Sequence, residues 1–407
     1  MPITHHRLKN GLTVILEPNP AAHTAAAGFF VRTGARDEDA GLMGVSHFLE
    51  HMMFKGSATR SGDDINRAFD DMGADYNAWT GHEATAYHAH VLPEFMPRTL
   101  DLLADMLRPA LRTEDFEMER KVILEEIGMY DDKPEWRLSD ALIENHYGTH
   151  GLGFRVLGTN DTVGRMTPGE MRAYFERRYA PDNMVLTAAG RFDPAQWLAA
   201  AEARTASWQP SGVLRRDNAA PPVRGGETSV KDARCSRHYV GCLYEGPSVQ
   251  SDSRYAARVL SVILGDDDGS RLYWALIDSG LSDEADFSAS PQDGCGTYTA
   301  FAACPPERAA EIEGILRGEI DDLATGKKPL TAEELERATA KIATRATLQD
   351  ERPAGRMQAM GVQWTALGHA LELQDEVGRL ASVTAEEVGA VAAQLRGGPQ
   401  TVVRLGP

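Results

Sequence analysis

LMGVSHFLEHMMFKG, residues 42–56, places His47, Glu50 and His51 in the middle of an apolar run. At 3.6 residues per turn these three fall within about 100° of one another, so two imidazoles and a carboxylate share one helix face. Val45, Phe48, Leu49, Met52, Met53 and Phe54 surround them. The stretch therefore reads as a buried helix holding three ionisable groups, which is costly unless something pairs with them. Asp37, Glu38 and Asp39 precede it, where negative charge favours a helix N-terminus. Gly56 stands where a left-handed C-terminal cap is expected.

Two histidines at i and i+4 reach one ion from a single helix. Zinc in a hydrolytic site takes three protein ligands and leaves a position for water, whose pKa falls to about 7. A nearby uncoordinated glutamate then takes the proton from that water. Here His47 and His51 are the candidate ligands and Glu50 the candidate base; H-x-x-E-H is the order found in inverzincins. The third ligand has to come from elsewhere. In TEDFEMERKVILEEIGMYDD, a helix expected from about Thr113, Glu119 and Glu126 are seven apart and only about 20° out of alignment. Val122 and Ile123 are expected between them on the same face, which makes both carboxylates inward. Glu126 is the preferred third ligand, Glu125 a solvated acid.

The surroundings read as alternating strands and helices. LTVIL and AAAGFFVRTG are expected to form a hairpin around Pro18-Asn19-Pro20. ADYNAWTGHEATAYHAHVL reads as strand, turn and strand. His88 and His90 lie on one side of the latter strand and read as a half-solvated pair, lacking a third ligand. His146 and His150 read as loop and packing residues. FMPRTLDLLADMLRPAL and TPGEMRAYFERRY are helices, and NMVLTAAG is a strand ending at Gly190. The Pro- and Gly-rich stretch 211–234 reads as a linker. Strands and helices then recur in the same coarse order, so two structurally similar domains are expected, 1–210 carrying the metal motif and 235–407 without it.

Composition narrows the functional classes. With 407 residues, 42% hydrophobic and 25% charged, the chain is long enough for large cores and ordinary for a globular protein. A formal net charge of −18 argues against a nucleic-acid partner, because phosphate binding needs clustered Lys and Arg. No apolar run approaches the ~18 residues of a membrane span, and the start lacks a signal-peptide core, so no membrane association and a cytoplasmic location are expected. The four cysteines form no Cys-x-x-Cys pair and read as buried reduced thiols.

Along nearly its whole length the chain resembles the pitrilysin/insulinase zinc metallopeptidases, in size the half-length subfamily that includes the mitochondrial processing peptidase subunits. The resemblance is densest in GARDEDAGLMGVSHFLEHMMFKGS, GADYNAWTGHEATAYHAHVL, ERKVILEEIGMYDDKP and YAPDNMVLTAAG. It implies an α+β fold of two similar domains, each a mostly antiparallel mixed sheet covered by helices, forming half of a clamshell chamber. It implies one Zn2+ per chain on His47, His51 and Glu126, the last 75 residues after His51. Glu119 becomes the carboxylate that orients the site. The implied substrates are short or unfolded peptides, added as a strand near Asn77, Ala78 and Trp79. One departure stands out: active full-length members carry an Arg and a Tyr, seven apart, in the second half, where ALIDSGLSD has Leu276 and Asp283. The resemblance then implies an endopeptidase subunit in a heterodimer, ahead of a homodimer, with a related chain supplying that pair. The alternatives are a non-catalytic chamber or scaffold subunit that keeps its metal site, and a zinc hydrolase of non-peptide substrates.

Overall fold

The computed structural model describes residues 2–213, 215, 221 and 223–407. They form two compact units, each discontinuous in sequence: Met1–Gly128, Phe154–Asp217 and Thr347–Leu373 in the first, Met129–Gly153, Asn218–Ala346 and Gln374–Pro407 in the second. Each unit is one mixed sheet with helices on it, so the fold is α+β as expected.

The first sheet contains β1 (Thr4–Arg7), β2 (Thr13–Pro18), β3 (Ala25–Val31), β4 (Asp75–Thr80), β5 (Thr85–Val91) and β6 (Met184–Gly190), in the order β1-β2-β6-β3-β5-β4. The expected hairpin of β2 and β3 does not form. Strand β6 lies between them, parallel to β2 and antiparallel to β3. The reason is burial: β3 and β6 are buried at every residue, so each needs a neighbour on both sides to pair its backbone away from water. Side chains alternate across β3. Ala25, Ala27, Phe29 and Val31 enter the main core beneath the motif helix, while Ala26 and Phe30 face a smaller cluster with Met357 and Met360.

Those methionines belong to a helix, Pro353–Leu367, from far along the chain. It lies close on the sheet because glycines meet it: a Cβ on Gly361 would sit 2.3 Å from the Phe30 ring, and one on Gly28 would sit 2.8 Å from Met357 Sδ. Arg356 fixes it. Its Nε and Nη2 lie 2.7 Å from Glu17 Oε2 and its Nη1 2.7 Å from Asp350 Oδ2.

The second sheet contains β7 (Gly226–Lys231), β8 (His238–Glu245), β9 (Glu284–Gln292), β10 (Cys295–Cys304) and β11 (Thr401–Gly406), in the order β7-β11-β8-β10-β9. One face carries the core of Val240, Tyr244, Phe287 and Tyr298 with the helices Ser253–Gly265 and Ala309–Ala324. The other face is covered by Leu138 and Leu142 of the helix Pro134–Tyr147, and Gly241 admits Leu142. Each sheet thus takes a covering helix from the opposite half of the sequence. This differs from the contiguous division at 211–234. Part of that stretch, Gly226–Lys231, is the edge strand β7, paired parallel with β11; residues 214, 216–220 and 222 of it lie outside the described residues. All four cysteines are free, and Cys235, Cys242 and Cys304 are buried.

Candidate metal centre

The motif helix runs Val45–Met53. Its start is fixed by two devices. Gly44 adopts φ +91°, and a Cβ there would lie 2.6 Å from Leu157 O, so only glycine fits. The buried Glu38 carboxylate accepts from the backbone N–H of Gly44 at 2.7 Å and of Ser46 at 2.8 Å, satisfying orphan donors of the first turn. Burial pushes the Glu38 carboxyl up to about 8 against those two bonds. At the far end the chain turns at Gly56, φ +113°. Between these ends Val45, Phe48, Leu49, Met52 and Met53 are buried, and Phe48 stacks on Phe116 with ring centroids 4.6 Å apart.

Phe116 begins the inward face of the helix Thr113–Asp131, where Glu119, Ile123 and Ile127 are also buried. Val122 is not inward: it is 43% exposed. At 100° per residue the buried set centres about 45° to one side of Glu119, and Val122 falls about 60° to the other. Glu126 lies at the border of that face and is half-buried, whereas Glu125 is exposed.

The two helices bring His47 Nε2 to 3.9 Å and His51 Nε2 to 3.7 Å from Glu126 Oε2. The three ligand atoms lie within 4.8 Å of one another, the one such group of three among the described residues. Donors at ~2.1 Å around a tetrahedral ion stand about 3.4 Å apart, so two imidazole nitrogens and a carboxylate oxygen at this spacing fit zinc with a fourth position left open. Burial, with His51 beside it, pulls His47 down to about 3 and so keeps its ring neutral.

The two imidazoles are held unequally. His51 Nδ1 lies 2.8 Å from Glu119 Oε1, which fixes its ring and leaves Nε2 toward Glu126. Buried His47 Nδ1 has no hydrogen-bond partner among the described residues. Burial opposes charge on His51, but the hydrogen bond and charge of Glu119 raise its pKa overall. Glu50 Oε2 accepts from Thr80 Oγ1 at 2.5 Å. Burial raises the Glu50 carboxyl, partly offset by that bond.

Thr80 ends β4, the edge strand of its sheet. Of the residues expected to meet substrate, Asn77 is exposed and Ala78 packs on the motif-helix side with Tyr76. Trp79 turns to the other face, against Phe30 and with Nε1 donating to Gln358 Oε1 at 3.3 Å. His90 Nε2 lies 2.7 Å from Thr24 Oγ1, and buried His146 Nδ1 lies 2.9 Å from Thr401 Oγ1. Leu276 is fully buried, and Asp283 is paired with Arg237 at 2.5 Å. Sequence reasoning placed Glu38 in the acidic run that favours the helix start without singling it out as the acceptor of the Gly44 and Ser46 N–H groups, and it missed Thr80 as the holder of Glu50 and Lys55 beside Glu119. The last had a signal, since His51 and Lys55 are four apart.

Comparison with known proteins places the chain in a family. Residues 13–160 match the family described as Insulinase (Peptidase family M16), and residues 165–342 match Peptidase M16 inactive domain. An uncharacterized zinc protease of Streptomyces coelicolor is 32% identical over 98% of this chain and 88% of its own length. One of Bacillus subtilis is 30% identical over 97% of this chain and 95% of its own. A protease from Helicobacter pylori, 19% identical, superposes with a TM-score of 0.92 over 100% of this chain and 99% of that one, and so shares the fold. With two adjoining family matches and relatives at this identity along almost the full length, the chain belongs to the insulinase peptidase family, M16.

Proposed function

We propose that this chain is a zinc metalloendopeptidase subunit that hydrolyses short or unfolded peptides. The observation that carries the reading is the convergence of His47 Nε2, His51 Nε2 and Glu126 Oε2, with Glu50 near enough to interact with His51 and Glu126 and, among the described residues, held through Oε2 by Thr80. Relatives described as zinc proteases support it. His47, His51 and Glu126 hold the ion; zinc, when bound, acidifies the attacking water and polarises the scissile carbonyl. Glu50 takes the proton from that water and passes it to the leaving amine. Thr80 keeps Oε2 occupied, so Oε1 remains for the proton transfer. The peptide lies as an added strand on the edge of β4 near Asn77, Ala78 and Trp79, and its main-chain groups meet that edge in strand register. Ala78 and Thr80 then lie on the Glu50 side.

The subunit works in the cytoplasm as a heterodimer with a related chain, which completes a closed chamber and supplies the Arg/Tyr pair that Leu276 and Asp283 do not. No helix among the described residues is long and apolar enough to cross a membrane.

The test is metal analysis and cleavage of a mixed peptide library by wild type and Glu50→Gln, each with and without co-purifying chains. Zinc in both proteins, with cleavage reduced about 10²- to 10⁴-fold only in the variant, is the expected result. Unchanged cleavage by Glu50→Gln ends the base assignment. Zinc without cleavage under any condition favours the scaffold reading.

A further inference from the structure

We infer that Lys55 is a positioning residue of the metal centre, acting through Glu119 on His51. The inference rests on His47, His51 and Glu126 being the metal ligands. Glu119 is a shared carboxylate: Oε1 lies 2.8 Å from His51 Nδ1, and Oε2 lies 2.5 Å from Lys55 Nζ. Its side chain is only 4% exposed. Oε2 has no hydrogen-bond partner beyond that ammonium among the described residues. A buried carboxylate whose second oxygen loses its cation carries an uncompensated charge. Its freedom to swing or draw in water then loosens the bond that fixes the His51 ring.

The end of the motif helix puts Lys55 in place. Lys55 N–H still bonds to Met52 O at 3.2 Å, and the chain then breaks at Gly56, where a Cβ would lie 2.5 Å from Arg60 O. Arg112 clamps the turn, its Nη1 donating to Lys55 O at 3.3 Å and its Nη2 to Ser57 O at 2.8 Å. Lys55 therefore starts from a fixed backbone and reaches back along the face of His51, four residues earlier. His47, whose Nδ1 is unpartnered among the described residues, has no equivalent support there. The orientation of the pair of imidazoles accordingly depends on one side alone.

The test uses the full chain and measures zinc dissociation constants by competition with a chromophoric chelator. Lys55→Met and Glu119→Gln are each expected to weaken zinc binding about 10- to 100-fold, the range for partners that orient a metal-ligating histidine. The double variant is expected to bind no more weakly than Glu119→Gln alone, because Lys55 acts through that carboxylate. Lys55→Arg, which keeps the charge and the reach, is expected to recover most of the loss. Thermal melts of the zinc-free proteins separate this from a structural role. A Lys55→Met protein that melts lower yet binds zinc as wild type does would overturn the inference, as would additive losses in the double variant. Absence of zinc binding by the wild type overturns the metal-centre reading itself, a different result.

Discussion

Arg356 is the residue on which the attachment of the helix Pro353–Leu367 to the first sheet turns. Its side chain is 5% exposed, with Glu17 at 22% and Asp350 at 8%. Replacing it with methionine keeps the apolar stem but leaves two carboxylates facing a site without a cation. Breaking a buried ion pair by removing one partner costs about 3–5 kcal/mol; because Glu17 retains some solvent, the lower part of that range is expected. Urea unfolding followed by circular dichroism measures it, and limited proteolysis with mass spectrometry locates it, since cleavage should appear first between residues 347 and 373. Adding Glu17→Gln and Asp350→Asn to Arg356→Met removes the unpaired charges and should return part of the loss. A cost below about 1 kcal/mol, the value of an exposed pair, with no new cleavage in that segment, would refute the claim that this ion-pair network fastens the helix.

Thr80→Val should lower kcat/KM for a peptide about 10- to 100-fold, the worth of a hydrogen bond to a charged group, while zinc stoichiometry stays at the wild-type value; unchanged kcat/KM would remove Thr80 from the account. His146 is buried and depressed by burial to about 4 from 6.5, so the unfolded chain binds the extra proton between those values. Its contribution to stability is full above pH 6.5 and is lost as pH falls through about 4, by up to about 3 kcal/mol. His146→Gln, which retains a group able to bond Thr401, should flatten that part of the pH profile of urea midpoints; equal slopes for wild type and variant would contradict it.

The motif helix and its neighbour were legible because their signals are local. Apolar periodicity framed His47, Glu50 and His51, and seven-residue spacing aligned Glu119 with Glu126. Pairing between β2 and β6 was not legible, because Thr13 and Val185 meet across most of the first half of the chain and no local pattern encodes that partner. The hairpin expectation chose the nearest strand in sequence; burial of β3 and β6 on both sides chose otherwise. Strand β1, Thr4–Arg7, is short and largely exposed, so it carries no alternation to read. PAGRMQAMGVQWTAL does carry a helix signal, with Pro353 in the first turn, Met357, Met360, Gly361 and Trp364 at helical spacing and Gly368 at φ +79°. What it lacks is any mark of its destination on Gly28 and Phe30, more than 300 residues earlier. Val122 shows the finer limit: an error of tens of degrees in placing a helix face moves a border residue from core to solvent.

At the site, Thr80 was invisible for the same reason, and of Glu38 only its favourable charge ahead of the helix was legible. A threonine at a strand end and one glutamate in an acidic run have many ordinary roles, and only the fold brings the first to Glu50 and singles out the second to accept from the N–H groups of Gly44 and Ser46.

The central claim is that His47, His51 and Glu126 form one zinc site. Crystals of the zinc-loaded protein, with diffraction recorded on both sides of the zinc absorption edge, test it directly. The account predicts a single anomalous peak per chain, about 2.0–2.2 Å from His47 Nε2, His51 Nε2 and a Glu126 carboxylate oxygen, with Glu50 uncoordinated. A peak at other residues, or one coordinated by Glu50 in place of Glu126, would contradict it.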